Sequence, residues 1–171
     1  MPSWYQGKIR YQKEEIVTDK RGDQIKLKTI NEAYLVDAVS YTDAEARLYE
    51  EIAANTPNFS ITTISPMRLA DVFHIEGPGE TWFKCKVVYV TEDDNGREKR
   101  VVNNMLVNAE NAKQAYERIE DSLKTMLIPF EITDVNTTKI LDIFPYSDDK
   151  VPGNRAADRL RPISEVEREG V

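Results

Sequence analysis

The sequence predicts an α+β fold built as a tandem duplication of a β-β-α-β unit, with pseudo-twofold symmetry and an antiparallel sheet or sheets carrying one helix per repeat. Two observations predict this class. Residues 59–73 recur as residues 130–144 at a constant separation of 71, with Phe, Ile, Thr, Asp and Phe unchanged. Residues 4–11 match residues 82–89 position by position at a separation of 78.

The repeats divide the chain of 171 residues into four parts. These are the first repeat (1–74), a Gly/Pro linker (75–81), the second repeat (82–145) and a flexible C-terminal tail (146–171). Apolar residues stop recurring at the end of the second repeat, so the tail is predicted to order only against a partner. The apolar residues that could anchor it are Leu160, Ile163 and Val166.

The alternation of residue types along the first strand predicts which side chains lie on each of its two faces. The predicted core face carries Tyr5, Gly7, Ile9 and Tyr11. The opposite face carries Trp4, Gln6, Lys8 and Arg10. A turn over residues 19–23, in which Gly22 can adopt a positive φ, ends this strand. The second strand then runs through Ile25 and Leu27 towards residues 34–38.

A helix and a third strand complete the first repeat. Residues 41–45 are predicted to open the helix, because Thr42 and Glu45 have the spacing of a capping box. Its apolar face is predicted from residues spaced three or four apart, which are Ala44, Leu48, Tyr49 and Ile52. The third strand, residues 59–73, is expected to break near Ser65-Pro66 because proline cannot donate to a central strand ladder.

The second repeat has the same elements with altered lengths. Residues 93–96, Asp-Asp-Asn-Gly, predict a type I′ turn, and this hairpin is shorter than the first by 78 − 71 = 7 residues. Asn111 and Gln114 predict a weaker capping box. The second helix is matched to the first at a separation of 67, which predicts a shorter connection before it and a longer loop, residues 122–129, after it. The matched residues are Ala115, Tyr116 and Ile119.

Two arrangements of the repeats stay open, because a three-stranded sheet with one helix has only one covered face. The sheets can join into one six-stranded sheet with both helices on one side, or pack face to face as a pseudo-dimer. A joined or pseudo-twofold arrangement is the preferred prediction.

Composition restricts the compartment and the partners. The formal net charge of −7 opposes non-specific binding to a phosphate backbone, although a local basic face stays open. The sequence has no run of 18 apolar residues and no signal-peptide pattern, so no membrane association is expected. The lone Cys85 fits a reducing cytoplasm.

Catalytic, metal-binding and cofactor motifs are scarce. With one histidine, His74, and one cysteine, Cys85, the chain is expected to form neither a nucleophilic triad nor a His/Cys metal site. It carries no nucleotide-binding glycine motif, so no cofactor is expected. Two aspartates recur three positions after a basic residue, in the pairs Arg68 with Asp71 and Lys139 with Asp142. They are interpreted as ion pairs or turn caps rather than catalytic carboxylates.

The outer faces of the two equivalent first strands are the predicted ligand-binding residues. They combine an aromatic ring with cations, and they are Trp4, Lys8 and Arg10 in one copy and Trp82, Lys84 and Lys86 in the other. Such residues can stack a base and hold an anionic group. The alternative is structural, since tryptophan often covers a core edge or an oligomer interface, and lysine discourages aggregation at sheet edges.

Several segments together are typical of one family, namely residues 4–5, 8–11, 34–38, 42–46, 64–73 and 82–86. On these segments the chain resembles, over about residues 3–145, an uncharacterised domain family of Bacteroidetes bacteria and their phages. The resemblance implies an origin in a phage, prophage or mobile element, and hence a bacterial host cell. It implies no catalytic residues.

The sequence predicts a non-enzymatic binding or assembly module that forms a homo-oligomer or binds a protein partner, because a duplicated sheet offers repeated symmetric surfaces. One alternative is a sequestering protein for a nucleotide-like anionic ligand, which would counter host defence signalling. A less favoured alternative is an enzyme that uses Asp71 or Asp142.

Overall fold

The computed structural model describes residues 3–75, 81–146 and 161–162. Within these residues, nine strands form a four-stranded and a five-stranded sheet, and two helices accompany them. The predicted α+β class is confirmed, with sheet predominating. In chain order the elements are β1 (Ser3–Asp19), β2 (Gly22–Ala38), α1 (Tyr41–Ala53), β3 (Ser60–Pro66), β4 (Asp71–His74), β5 (Thr81–Glu92), β6 (Glu98–Ala109), α2 (Ala112–Ser122), β7 (Phe130–Thr137), β8 (Ile140–Phe144) and β9 (Arg161–Pro162).

The chain divides into two compact units whose boundaries do not follow the order of the sequence. Unit 1 runs to Met67 and also contains Ile140–Phe144, which is β8. Unit 2 runs from Arg68 to Lys139, so it contains β4, and it resumes at Pro145. Each unit therefore receives one short strand from the other half of the chain.

The sheet of unit 1 has the order β3-β1-β2-β8. β1 pairs antiparallel with β2 and with β3, whereas β8 pairs parallel with β2. The sheet of unit 2 has the order β7-β5-β6-β4-β9, in which β5 pairs antiparallel with β6 and β7, and β4 pairs parallel with β6 and β9. Both sheets are mixed, so the prediction of purely antiparallel sheets is wrong.

The prediction of one joined six-stranded sheet is also wrong, because the strands form two separate sheets. The physical reason for the mixed pairing lies in the third strand. It breaks where predicted, since β3 ends at Pro66 and β4 begins at Asp71. The chain between them leaves β3 at the edge of one sheet and places β4 beside β6 in the other.

The core of unit 1 lies between α1 and one face of its sheet. Ala44, Leu48 and Ile52 of α1 are buried there, as predicted, whereas Tyr49 remains 45% exposed. The predicted core face of β1 is confirmed, because Ile9 is fully buried and Tyr5 and Tyr11 pack against the cluster. Gly7 is buried on this face, where an added Cβ would clash with the side chain of Leu48.

Unit 2 has a core of the same kind beneath α2. The buried residues contributed by α2 and the turn after it are Ala115, Ile119 and Leu123. They pack against buried residues of β5, β6 and β4, among which are Phe73, Phe83, Cys85, Val87, Met105 and Val107. Cys85 is fully buried in this core.

The N-caps observed for the two helices differ from the prediction in position and in separation. The N-cap of α1 is Ser40, whose Oγ accepts from the backbone N–H of Asp43, so the prediction of Thr42 as the cap is wrong. The cap of α2 is Asn111, as predicted, and its Oδ1 accepts from the N–H of Gln114. The caps lie 111 − 40 = 71 residues apart, so the predicted separation of 67 is wrong. At a separation of 71, Leu48 aligns with Ile119 rather than with Ala115.

Both hairpins close with a glycine in the left-handed region. Gly22 follows the turn of the first hairpin with a φ of 105°, as predicted, and Gly96 has a φ of 75°. The predicted type I′ turn is wrong, because that turn needs a positive φ at both central residues and Asn95 does not have one. Asp93 instead stabilises the turn, since its Oδ1 accepts from the N–H groups of Asn95 and Arg97.

Two predicted segments fall largely outside the described residues. Residues 76–80 of the predicted linker lie outside them. So does the predicted tail except for Tyr146 and Arg161–Pro162, and with it the proposed anchors Leu160, Ile163 and Val166.

Candidate functional site

The first hairpin extends beyond the strands that flank it. β3 pairs with β1 only as far as Arg10, and β8 pairs with β2 only from Ala33 to Val36. Beyond these points, among the residues that the structure describes, residues 12–29 pair only with each other, from Gln12 opposite Thr29 to Asp19 opposite Gly22. We name residues 12–29 the arm. Its side chains are exposed on both faces, apart from a half-buried Val17.

One face of the arm carries a cluster of three apolar side chains among polar ones. Ile16 lies directly opposite Ile25, and each is 71% exposed. Leu27 is two residues further along β2 on the same face and is 65% exposed. Directly opposed residues in an antiparallel pair share a face, so these three side chains form one exposed cluster. We name it the apolar face of the arm.

The other face of the arm carries lysines. Lys13 lies directly opposite Lys28, and Glu15 lies opposite Lys26. Like charges placed directly opposite each other destabilise a strand pair, whereas opposite charges stabilise it. The two faces of the arm therefore differ in chemistry. One carries the apolar cluster, with Glu14 and Asp23 beside it, and the other carries three lysines together with Glu15 and Asp19.

A carboxylate and two phenols brace the arm at its base. Tyr11 Oη donates to Glu32 Oε1, and Tyr34 Oη donates to Glu32 Oε2, each at 2.6 Å. Tyr34 also stacks on Phe144 of β8, with 5.6 Å between ring centroids. These contacts tie the last residues of the covered sheet to each other where the arm begins.

The same contacts shift the tyrosine pKa values. Burial, followed by the hydrogen bond to Glu32, raises the pKa of Tyr34 well above 10.0. The hydrogen bond to Glu32 also raises the pKa of Tyr11 above 10.0. Both phenols are therefore held as neutral donors. Sequence reasoning missed this cluster, although the placement of Glu32 two residues before Tyr34, on one face of a strand, was a signal for it.

The residues predicted to bind a ligand lie on common strand faces, but the rings are covered. Trp4 is 6% exposed and Trp82 is 7% exposed, so neither indole offers an open stacking surface. Trp82 stacks instead on His74, with 6.2 Å between ring centroids and 18° between planes. Ligand binding by these residues stays a prediction.

The predicted cations differ in their surroundings. Lys8 and Arg10 are exposed, and Arg10 Nε donates to Asn31 Oδ1 at 3.2 Å. Lys84 is half-buried. Lys86 pairs across the strands with Asp134, at 3.8 Å between Nζ and Oδ2 and with both side chains 46% exposed. Lys8 and Arg10 lie on the strand face that continues into the apolar face of the arm, because β1 alternates without a break towards Ile16.

The residues considered for chemistry have structural contacts. Burial raises the pKa of the Cys85 thiol to about 11, which disfavours the reactive thiolate. The carboxylate of Asp142 accepts from the backbone N–H of Ile143 at 2.8 Å. Across residues 3–75 and 81–146, no group of three or more His, Cys, Asp or Glu side chains is placed to hold a metal ion. Catalysis by Asp71 or Asp142 stays an untested alternative.

In the part of the chain that the structure describes, neither helix has the length and apolar character needed to cross a membrane.

Comparison with known proteins identifies a family whose description assigns no function. No curated protein sequence matches the chain. Residues 3–146 match the family described as a domain of unknown function, DUF4494. The match covers most of the chain, and the protein therefore belongs to the DUF4494 family.

Proposed function

We propose that this protein is a non-enzymatic assembly module that self-associates through its arm. The observation that supports the proposal is the exposed cluster of Ile16, Ile25 and Leu27 on a ribbon that no other strand flanks in the described part of the chain. Clusters of exposed apolar side chains mark interaction surfaces more often than scattered ones do.

The energetics favour covering this cluster. Complete burial of an Ile or Leu side chain contributes about 1.5–3 kcal/mol. Each of the three is about two-thirds exposed, so covering it would contribute on the order of 1–2 kcal/mol. An uncovered two-stranded ribbon is at best marginally stable by itself. Contact with a second copy would both bury the cluster and order the ribbon.

We also propose that the chain is a tandem duplication, and that the arm is the part in which the copies diverged. Sheet orders β3-β1-β2-β8 and β7-β5-β6-β4 support the duplication, as does the separation of 71 residues between helix caps. The strands of the first hairpin have 17 residues each and those of the second have 12. A surface present in only one copy is a natural place for a specific function.

The biological setting is a further part of the proposal. The resemblance noted from the sequence supports an origin in a phage or mobile element of Bacteroidetes, and the lone Cys85 supports the cytoplasm of the host cell.

The test is sedimentation velocity across micromolar to submillimolar concentrations. Wild-type protein should show a mass that rises with concentration, and Ile25→Lys should remain monomeric because an ammonium group would enter the contact. The matched control is Val102→Lys in the second hairpin, since Val102 is also exposed, at 47%, and also lies in a strand. A wild-type protein that is monomeric at every concentration would contradict the proposal.

A further inference from the structure

We infer that the apolar face of the arm pairs with the same face of a second copy, with the two arms antiparallel about a twofold axis. This inference rests on the proposed function and specifies its geometry. The twofold relation follows from the fact that a single patch with this composition can complement itself.

The apolar rows define the centre of the contact. Ile16 and Ile25 form one row across the arm, and Leu27, opposite Glu14, forms the next row towards the base. When two such faces meet antiparallel about the midpoint of these rows, the isoleucines of each copy face the row of Leu27 and Glu14 of its partner. A parallel arrangement would instead place the ends of the two faces that carry the same charge next to each other.

The charges at the two ends of this face are complementary. Arg10 lies at the base end and is exposed. Asp23 lies at the tip end, opposite Thr18, and is also exposed. Antiparallel pairing brings Arg10 of one copy towards Asp23 of the other, twice per dimer. Opposite charges placed at the rim of an apolar contact fix its register and orientation.

The reach of the arginine side chain makes this contact feasible. Arg10 lies five residues from the midpoint of the apolar rows, towards the base of the arm. Asp23, which is opposite Thr18, lies three residues from the same midpoint, towards the tip. At about 3.3 Å per residue the offset between them is about 7 Å, which an extended arginine side chain can span. Arg10 Nε donates to Asn31 Oδ1 within its own chain, and in the proposed dimer the terminal Nη groups would make this contact.

A second copy fits this face better than a polyanion does. The three lysines on the strands of the arm, Lys13, Lys26 and Lys28, lie on its other face, and the chain as a whole has a formal net charge of −7. Phosphate binding depends on cations that displace counterions, and on this face the cations Lys8 and Arg10 lie only at the base end, beyond the apolar rows. Pairing along the edges of the arm is the remaining alternative, and it makes no use of Arg10 or Asp23.

Charge reversal in separate copies tests the inference. Arg10→Glu alone places a second carboxylate near Asp23 of the partner at both contacts, and Asp23→Arg alone places two guanidinium groups together. Each variant should associate at least about tenfold more weakly than the wild type. The mixed dimer that forms from equimolar amounts of the two variants contains only opposite charges at both contacts, so its affinity should return to within about threefold of the wild type.

The outcomes separate this inference from the proposed function. Restored association in the mixture supports antiparallel pairing of the apolar faces. If Ile25→Lys abolishes association but the mixture is no tighter than either variant alone, the arm assembles in another geometry and the inference is wrong. If Ile25→Lys has no effect, the proposed function itself is wrong. Lys13→Glu, on the opposite face of the arm, is the matched charge control and should leave the affinity unchanged.

Discussion

At the residue scale, Glu32 shows how one side chain can hold the base of a ribbon. Its two carboxylate oxygens accept from Tyr11 and Tyr34, which lie on different strands. Hydrogen bonds to a charged acceptor are stronger than those between neutral groups. The cluster therefore stabilises the hairpin at the point where its flanking strands end.

This cluster predicts a loss of stability in alkali. The pKa of Tyr34 is raised above its unfolded value of about 10, so the contribution of Tyr34 is fully present below pH 10 and falls as pH rises further. The free energy of unfolding, measured by urea titration at several pH values, should decline above about pH 10. Tyr34→Phe should make this decline shallower.

Two controls accompany the alkaline titration. Tyr116→Phe removes an exposed hydroxyl from α2 and should leave the slope as in the wild type. Glu32→Gln should lower the pH at which phenolate absorbance appears, because it removes the carboxylate that raises both tyrosine pKa values. An unchanged slope in Tyr34→Phe would contradict the assignment.

At the scale of elements, local signals in the sequence predicted most helix and strand positions. Asn111 was correctly identified as a cap because Gln114 follows at the right spacing. Ser40 was missed because Thr42 and Glu45 have the same spacing two residues later, and sequence cannot decide between two competing caps. Only the structure shows that Ser40 Oγ reaches the N–H of Asp43.

The pairing of β4 with β6 depends on a buried side chain that local signals do not reveal. Asn108 is 7% exposed, and its amide accepts from the N–H of Ile75 at 2.9 Å and donates to the C=O of Ile75 at 2.8 Å. It thus ties Ile75, one residue beyond the end of β4, to β6. Partners so distant in sequence, 33 residues apart, are set by the tertiary fold.

This contact predicts a loss of stability in Asn108→Ala. The substitution leaves both backbone groups of Ile75 without that partner, so the free energy of unfolding should fall by about 1–3 kcal/mol. Chemical denaturation measures the change. The control is Asn136→Ala at an exposed position of β7, which should change stability by less than about 0.5 kcal/mol. Equal stabilities of the two variants would contradict the role given to Asn108.

At the scale of the whole molecule, the sequence predicted the class and the core faces but not the candidate site. Ile25 and Leu27 fit the pattern of an ordinary half-buried strand. Apolar and polar residues alternate in the same way in an uncovered two-stranded ribbon and in a covered one. Their exposure depends on where β3 and β8 stop pairing with their neighbours. The sequence left open whether the indoles of Trp4 and Trp82 face a ligand or cover a core edge, because the alternation of residues along a strand does not show what covers each face.

The placement of β4 and β8 has a consequence for dissecting the protein. Each half-chain would carry a strand that its own sheet does not use, and would lack one that its sheet requires. Fragments 1–75 and 76–171 should therefore be insoluble when produced separately and should co-purify when co-expressed, which a tagged pull-down measures. Independent folding of either fragment would contradict this expectation. The gene is thus better suited to split-protein complementation than to division into autonomous pieces.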